Sequence, residues 1–121
     1  MDKELVKGST TTMILSLLAT EPMYGYQMTK ALEERSNQVF TLKEGTLYPL
    51  LHTLENNGII TSFWDDTSGL RKRKYYQITE IGRKLLAEKQ QEWQIFSEAV
   101  NKVIGGVRLE YEYKNIFRPC L

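Results

Sequence analysis

The chain has 121 residues, 41% hydrophobic and 26% charged, with a formal net charge of +1. That length suits one domain with an appendage, and that composition excludes disorder as the main state. The near-neutral total gives no partner by bulk charge, yet Arg71-Lys72-Arg73-Lys74 concentrate four cations at one place.

The first apolar run, Met13 to Ala19, follows Asp2 and Glu4. It is too short to span a membrane and has no cleavage-like pattern, so neither a membrane segment nor a signal peptide is expected. Within it, Met13, Ile14, Leu17 and Leu18 predict a helix from about Ser9 to Ala19, capped by Ser9 or Thr10. Glu21-Pro22 ends it. A second helix is expected from about Tyr24 to Arg35, with Tyr24, Met28, Ala31 and Leu32 on one side. A third is expected from about Lys43 to Asn56, stopped by Asn57-Gly58 after a tight turn from the second, which is a helix-turn-helix arrangement.

The period then changes. "GIITSFW" (Gly58–Trp64) is rich in β-branched and aromatic residues, "DDTSGL" is a turn cluster, and "RKYYQIT" (Arg73–Thr79) returns, so a β-hairpin is predicted. Tyr75 and Tyr76 must face opposite sides of such an arm, which makes one of them core. Thr79 reads as an N-cap with Glu80 in the first turn of a helix running from about Glu80 to Ile104, and Gly105-Gly106 stops it. "VRLEYEYK" (Val107–Lys114) alternates with period two and is open between an edge strand, a helical continuation and a loose tail. Cys120, the one cysteine, allows no intrachain disulfide and no Cys-based metal site, and a reducing, cytoplasmic setting is the expectation.

The third helix carries a conflict, because Gly45 and Pro49 are helix breakers inside an apolar helical pattern. At 100° per residue, Leu47, Leu50, Leu51 and Leu54 form one face, and Gly45, Pro49, His52 and Asn56 lie opposite, flanked by Tyr48 and Thr53. A proline this early costs at most one backbone hydrogen bond, since the first N–H groups of a helix lack intrahelical partners anyway. Such a face suits a recognition helix: the breakers keep it low, while Lys43, Thr46, Tyr48, Pro49, His52 and Thr53 face base edges or phosphates. A surface helix with a tolerated proline is the alternative. The hairpin tilts the balance, because Arg71, Lys72, Arg73 and Lys74 would lie along phosphates or reach a minor groove.

"GTLYPLLHTLENNGII" and "RKYYQITEIG", together with "MYGYQMTKALEE", closely resemble the PadR-like transcriptional regulators of bacteria, over roughly Gly8 to Ile104. The stretch "GIITSFWDDTSG" is similar to the branch that contains multidrug-sensing regulators. The resemblance implies a homodimeric winged helix-turn-helix repressor whose long last helix packs with its partner's helices. It also implies that a tryptophan on that helix, here Trp93, stacks on a planar aromatic effector in some members. Met13 and Phe96 would line the same cavity.

The long helix supports a dimer on its own account. Leu86, Trp93, Phe96, Val100 and Val103 fall on an a/d seam interrupted by Lys89, and a second chain would cover it. Ile81 and Leu85 are expected to turn toward the winged domain instead. Trp93 is open between a dimer-core residue and an effector platform.

No catalytic constellation is evident. His52 is the sole histidine, Asp65-Asp66 sit in a turn, and there is no Gly-rich phosphate loop, so no enzyme, metal or cofactor is expected. The expected fold is mainly α with a small β-hairpin wing (α+β): a winged helix-turn-helix domain over 1–78, a long dimerisation helix over 79–106, and a tail over 107–121. The expected function is a dimeric regulator, a repressor, that binds double-stranded DNA at a pseudo-palindromic operator with half-sites about 34–36 Å apart. Release would come from a planar aromatic effector at the dimer interface. The rival expectation is a winged-helix module that binds protein and not DNA.

Overall fold

The computed structural model describes residues 3–66 and 71–105, with side-chain detail from residue 8 onward. The elements run α1 (Lys3–Thr20), β1 (Met23–Tyr24), α2 (Gly25–Arg35), α3 (Glu44–Asn56), β2 (Ile60–Asp65), β3 (Arg73–Ile78) and α4 (Glu80–Ile104). This is a winged helix with a long carboxy-terminal helix, as expected. The period-two segment from Val107 lies outside the described residues.

In the layout of its elements, the structure departs from the sequence expectations in three places. Helix α1 begins at Lys3, upstream of the expected Ser9 cap, and Thr10 is buried inside it. The wing is a three-stranded antiparallel sheet in the order β1-β3-β2, where a hairpin was expected. The added strand is Met23-Tyr24, which pairs with Tyr76 and Tyr75. The connection from α2 to α3 spans residues 36–43 and is no tight turn. It begins with a left-handed Asn37 at φ 53°, whose N–H bonds to the Glu34 carbonyl (3.2 Å) while that of Gln38 bonds to Glu33 (2.8 Å). Those two bonds satisfy carbonyls that α2 would otherwise leave open.

One hydrophobic core joins the helices to the sheet. Ile14, Leu15 and Leu18 of α1 meet Met28 of α2, Leu47 and Leu51 of α3, and Ile60 of β2, all fully buried. Strand register divides the sheet into two faces. Ile60, Ser62 and Trp64 pair with Ile78, Tyr76 and Lys74 on the core side, while Thr61, Phe63 and Asp65 pair with Gln77, Tyr75 and Arg73 on the other. Tyr76 is buried and Tyr75 is not, so one tyrosine of the pair is core, as the alternation required.

The start of α4 is locked to the end of α3. Gly58, at φ +73°, closes α3: its N–H bonds to the Glu55 carbonyl (3.0 Å) and that of Ile59 bonds to Leu54 (3.0 Å). Thr79 caps α4 as expected, accepting the Gly82 N–H on its hydroxyl oxygen (3.0 Å). The same hydroxyl lies 2.7 Å from the Gly58 carbonyl oxygen and 3.0 Å from that of Ile59, and donates to this pair. Gly82 is buried so closely on Ile59 that an added methyl would overlap the Ile59 carbonyl oxygen.

The described chain forms two compact units that divide between Ala87 and Glu88, so the first two turns of α4 belong with the winged domain. Leu86 is therefore a correction to the expected dimer seam: it is only 6% exposed and packs in the core of the first unit. The heptad count continued one stripe through a point where the helix changes what it packs against. Ile81 is the converse. Expected to turn inward, it is 62% exposed, because Gly82 and Leu86 take the inward side and Ile81 lies about 120° from their midpoint at 100° per residue.

Candidate nucleic-acid interface

Helix α3 is amphipathic in the sense the sequence predicted. Leu47, Leu51 and Leu54 are buried and Leu50 is half-buried, while Gly45, Thr46, Pro49, His52, Thr53 and Asn56 are exposed. Lys43 precedes the helix and is also exposed; its carbonyl oxygen accepts the N–H groups of Thr46 (3.0 Å) and Leu47 (2.9 Å). Pro49 falls in the second turn of a helix that starts at Glu44, so one backbone bond, to the Gly45 carbonyl, is lost. Gly45 is exposed, which lets solvent satisfy that carbonyl.

Two of the outward residues are more engaged than their positions suggest. The Thr53 hydroxyl donates to the Pro49 carbonyl oxygen (3.1 Å). Tyr48 lies back across the start of α2, its hydroxyl against the bare backbone of Gly25, where any side chain would collide with it. Its phenol pKa is raised above the ordinary value, first by burial and then by the Glu44 carboxylate and Tyr76. Tyr48 thus anchors one helix to another through its hydroxyl end while its side chain stays 43% exposed. The sequence carries a hint of this in the Tyr24-Gly25-Tyr26 stretch, but the contact itself is non-local.

The basic run divides by strand parity. Arg71 and Lys72 precede β3 and are exposed. Arg73 stands on the outward face of the sheet, its guanidinium 4.7 Å from the centre of the Tyr24 ring. That ring meets Tyr75 edge-on (5.3 Å), and Tyr75 stacks on Phe63 (5.6 Å), so one aromatic row crosses all three strands. Lys74 points to the opposite face, 3.9 Å from a carboxylate oxygen of Glu55 and 5.5 Å from the Tyr76 ring centre. Glu55, at the end of α3, also accepts a hydrogen bond from the Ser62 hydroxyl on its other oxygen. One carboxylate therefore fastens α3 to both long strands of the wing. Glu55 and the exposed Trp64 were not singled out from sequence; counting strand parity from Tyr76 would have placed Lys74 on the inner face.

In the second unit, Trp93 and Phe96 are each 54% exposed with rings 5.9 Å apart, and Val103 is 85% exposed, while Val100 is half-buried. Met13 belongs to the first unit, half-buried against its core. Among the described residues, no group of His, Cys, Asp and Glu could hold a metal ion, and no helix is long and apolar enough to cross a membrane.

Comparison with known proteins places these features in context. The family model described as the transcriptional regulator PadR-like family matches residues 14–88. The transcriptional regulator Rv3488 of Mycobacterium tuberculosis is 31% identical over 104 residues, 86% of this chain and 91% of that protein. The negative transcriptional regulator PadR of Bacillus subtilis is 29% identical over 109 residues, 89% of this chain and 56% of that protein. A solved transcriptional regulator from Clostridium thermocellum superposes with a TM-score of 0.75 at 34% identity, covering 83% of this chain and 97% of the other.

Proposed function

The chain belongs to the PadR-like family of transcriptional regulators, and from that premise we propose that it is a homodimeric repressor that presents α3 to the major groove of a pseudo-palindromic operator. The observation that carries this reading is the division of α3. Leu47, Leu51 and Leu54 are committed to the core, and the exposed face is built mainly from Gly45, Thr46, Pro49, His52 and Thr53, with Tyr48 at its side, low enough for close approach to a base-pair edge. Arg71 and Lys72 are the wing's exposed cations for flanking phosphate. Arg73 joins them, since a guanidinium lying over a ring keeps its in-plane donors for a phosphate. The printed name of the Bacillus subtilis relative, a negative regulator, supports repression as the direction of control.

A gel shift with the promoter upstream of its own gene tests this. The expected outcome is two chains per duplex, with affinity falling steeply as salt rises. Changing Arg71 and Arg73 together to Ala should flatten the slope of log K against log salt by about 1.8, at about 0.9 per phosphate contact. A protein-binding module would show no gain in DNA affinity at low salt, and that result would refute the reading.

The exposed Trp93–Phe96 pair, with Val100 and Val103 further along α4, supports a second copy as the cover for this face and a planar aromatic effector as its ligand. The chain has two tryptophans, so W64F leaves Trp93 as the only tryptophan, read by excitation at the red edge where tyrosine does not absorb. Quenching by planar aromatic compounds is then expected, and an unmoved signal across a broad panel counts against the effector.

A further inference from the structure

The four-cation run is the strongest electrostatic feature of the sequence, yet its members are not equivalent in the fold. Arg71 and Lys72 lie before the strand, and Arg73 and Lys74 leave it on opposite faces. Lys74 turns toward α3. There its ammonium group meets the Glu55 carboxylate at 3.9 Å and lies over the Tyr76 ring at 5.5 Å. The Ser62 hydroxyl holds the other carboxylate oxygen, which aims Glu55 at the wing. Ser62 and Lys74 come from the two paired strands, so the carboxylate sits at the joint between helix and wing.

An ion pair this exposed contributes little to stability, because water screens it and two side chains must be ordered to form it. Its consequence for binding is larger. The counterions released on binding are those condensed on the DNA, and a cation held by a protein carboxylate displaces none of them until a phosphate takes that carboxylate's place. Non-specific affinity is almost wholly a count of such cations, whereas operator affinity adds contacts from α3 that Glu55 leaves unchanged. Masking one cation therefore lowers non-specific binding more than operator binding and widens the ratio between them.

We propose that Glu55 is a specificity-determining residue: by holding Lys74 against the end of α3, it withholds one wing cation from the DNA backbone. This rests on the DNA-binding reading above. It assigns the two ends of α3 separate tasks. The outward face of the first turns reads sequence, and the last turn limits how strongly the wing grips any sequence.

The test uses the full-length protein and a short mixed-sequence duplex without the operator, titrated across a range of salt. Glu55→Gln keeps an acceptor for Ser62 but removes the charge that holds Lys74. The expected slope of log K against log salt is steeper than wild type by about 0.9, one added phosphate contact. Adding Lys74→Gln to that variant should remove the increment. An E55Q slope equal to wild type overturns the proposal. So does an increment that survives in the double variant, because it would then come from lost repulsion and not from Lys74. Circular dichroism melts confirm that each variant is folded. If wild type shows no salt-dependent binding at all, the DNA-binding reading itself fails, and the two failures are distinguishable.

Discussion

Replacing Gly82 with Ala should destabilise the protein, although the same change stabilises most helices. An alanine in a helix interior is favoured over glycine by about 1 kcal/mol. At Gly82 the new methyl would overlap the Ile59 carbonyl oxygen and crowd the Ile78 side chain. The Ile59 carbonyl cannot simply withdraw, because it accepts the Thr79 N–H at 3.1 Å and lies 3.0 Å from the Thr79 hydroxyl. Relieving the overlap means moving the start of α4 off the end of α3, with an overpacking cost of about 1–3 kcal/mol and about 1 kcal/mol more for a weakened hydrogen bond. Against the gain in helix propensity, a net loss of about 2 kcal/mol remains, or a melting temperature lower by about 8 °C for a domain near this size. Gly45 is the control. It also lies in a helix, is exposed, and has nothing within 4 Å of the position a methyl would take. Gly45→Ala should raise stability by about 0.5–1 kcal/mol. Thermal melts of the three proteins at one fixed concentration decide the matter, since any self-association would make melting concentration-dependent. A G82A protein that melts at or above wild type refutes the claim that this glycine is required by close approach.

The division of α4 gives a second pair of outcomes. Leu86→Ala, in the core of the first unit, should cost about 2–5 kcal/mol in denaturant melts. If the proposed dimer forms through this exposed stretch, Val103→Asp should shift sedimentation to a smaller species than wild type shows at the same concentration; an unchanged profile removes Val103 from the proposed interface. Tyr76 supplies a pH dependence. Its phenol pKa is raised, first by burial and then by the Glu55 carboxylate. The native state thus holds the proton more tightly than the unfolded chain, so this contribution is fully present below about pH 10 and is lost as pH rises past it. Tyr76→Phe should blunt the loss of stability measured by urea midpoints above that pH, and parallel curves for the two proteins would contradict the assignment.

What the sequence made legible was local. The leucine stripe of α3, the Asn57-Gly58 stop and the Thr79 cap each depend on residues within one or two turns, and each appears where expected. Features set by distant partners were not legible. Two residues carry no period, so β1 exists only because Met23 and Tyr24 find Tyr76 and Tyr75 some fifty positions later. Periodicity marked Leu86 as apolar but could not say whether its own domain or a second chain would cover it. The Thr10 region of α1 offered a cap, yet the residues before it continue the helix and make the cap unnecessary. In the candidate site, the run of cations was obvious, whereas placing Arg73 over a ring and Lys74 against Glu55 on opposite faces required the strand register.

Under the proposed DNA-binding function, that placement bears on how α3 would read a base sequence. Helix α3 is fixed to its surroundings at three places: its leucines in the core, Tyr48 on Gly25 near its start, and Glu55 on Ser62 and Lys74 at its end. What remains outward is a face built mainly of short side chains, with the exposed, anchored Tyr48 ring beside them. Such a face loses little conformational entropy on binding, because glycine and proline have no rotamers to restrict and threonine and histidine have few. Thr53 is further limited, since its hydroxyl proton is donated to the Pro49 carbonyl oxygen, leaving lone pairs and a methyl group outward. In that state it can accept from an adenine or cytosine amino group or pack on a thymine methyl, but it cannot donate to a guanine. The proline therefore acts beyond its own position. Its unbonded nitrogen lies near the start of the helix, where little is lost, and its carbonyl orients the hydroxyl of a neighbour one turn on.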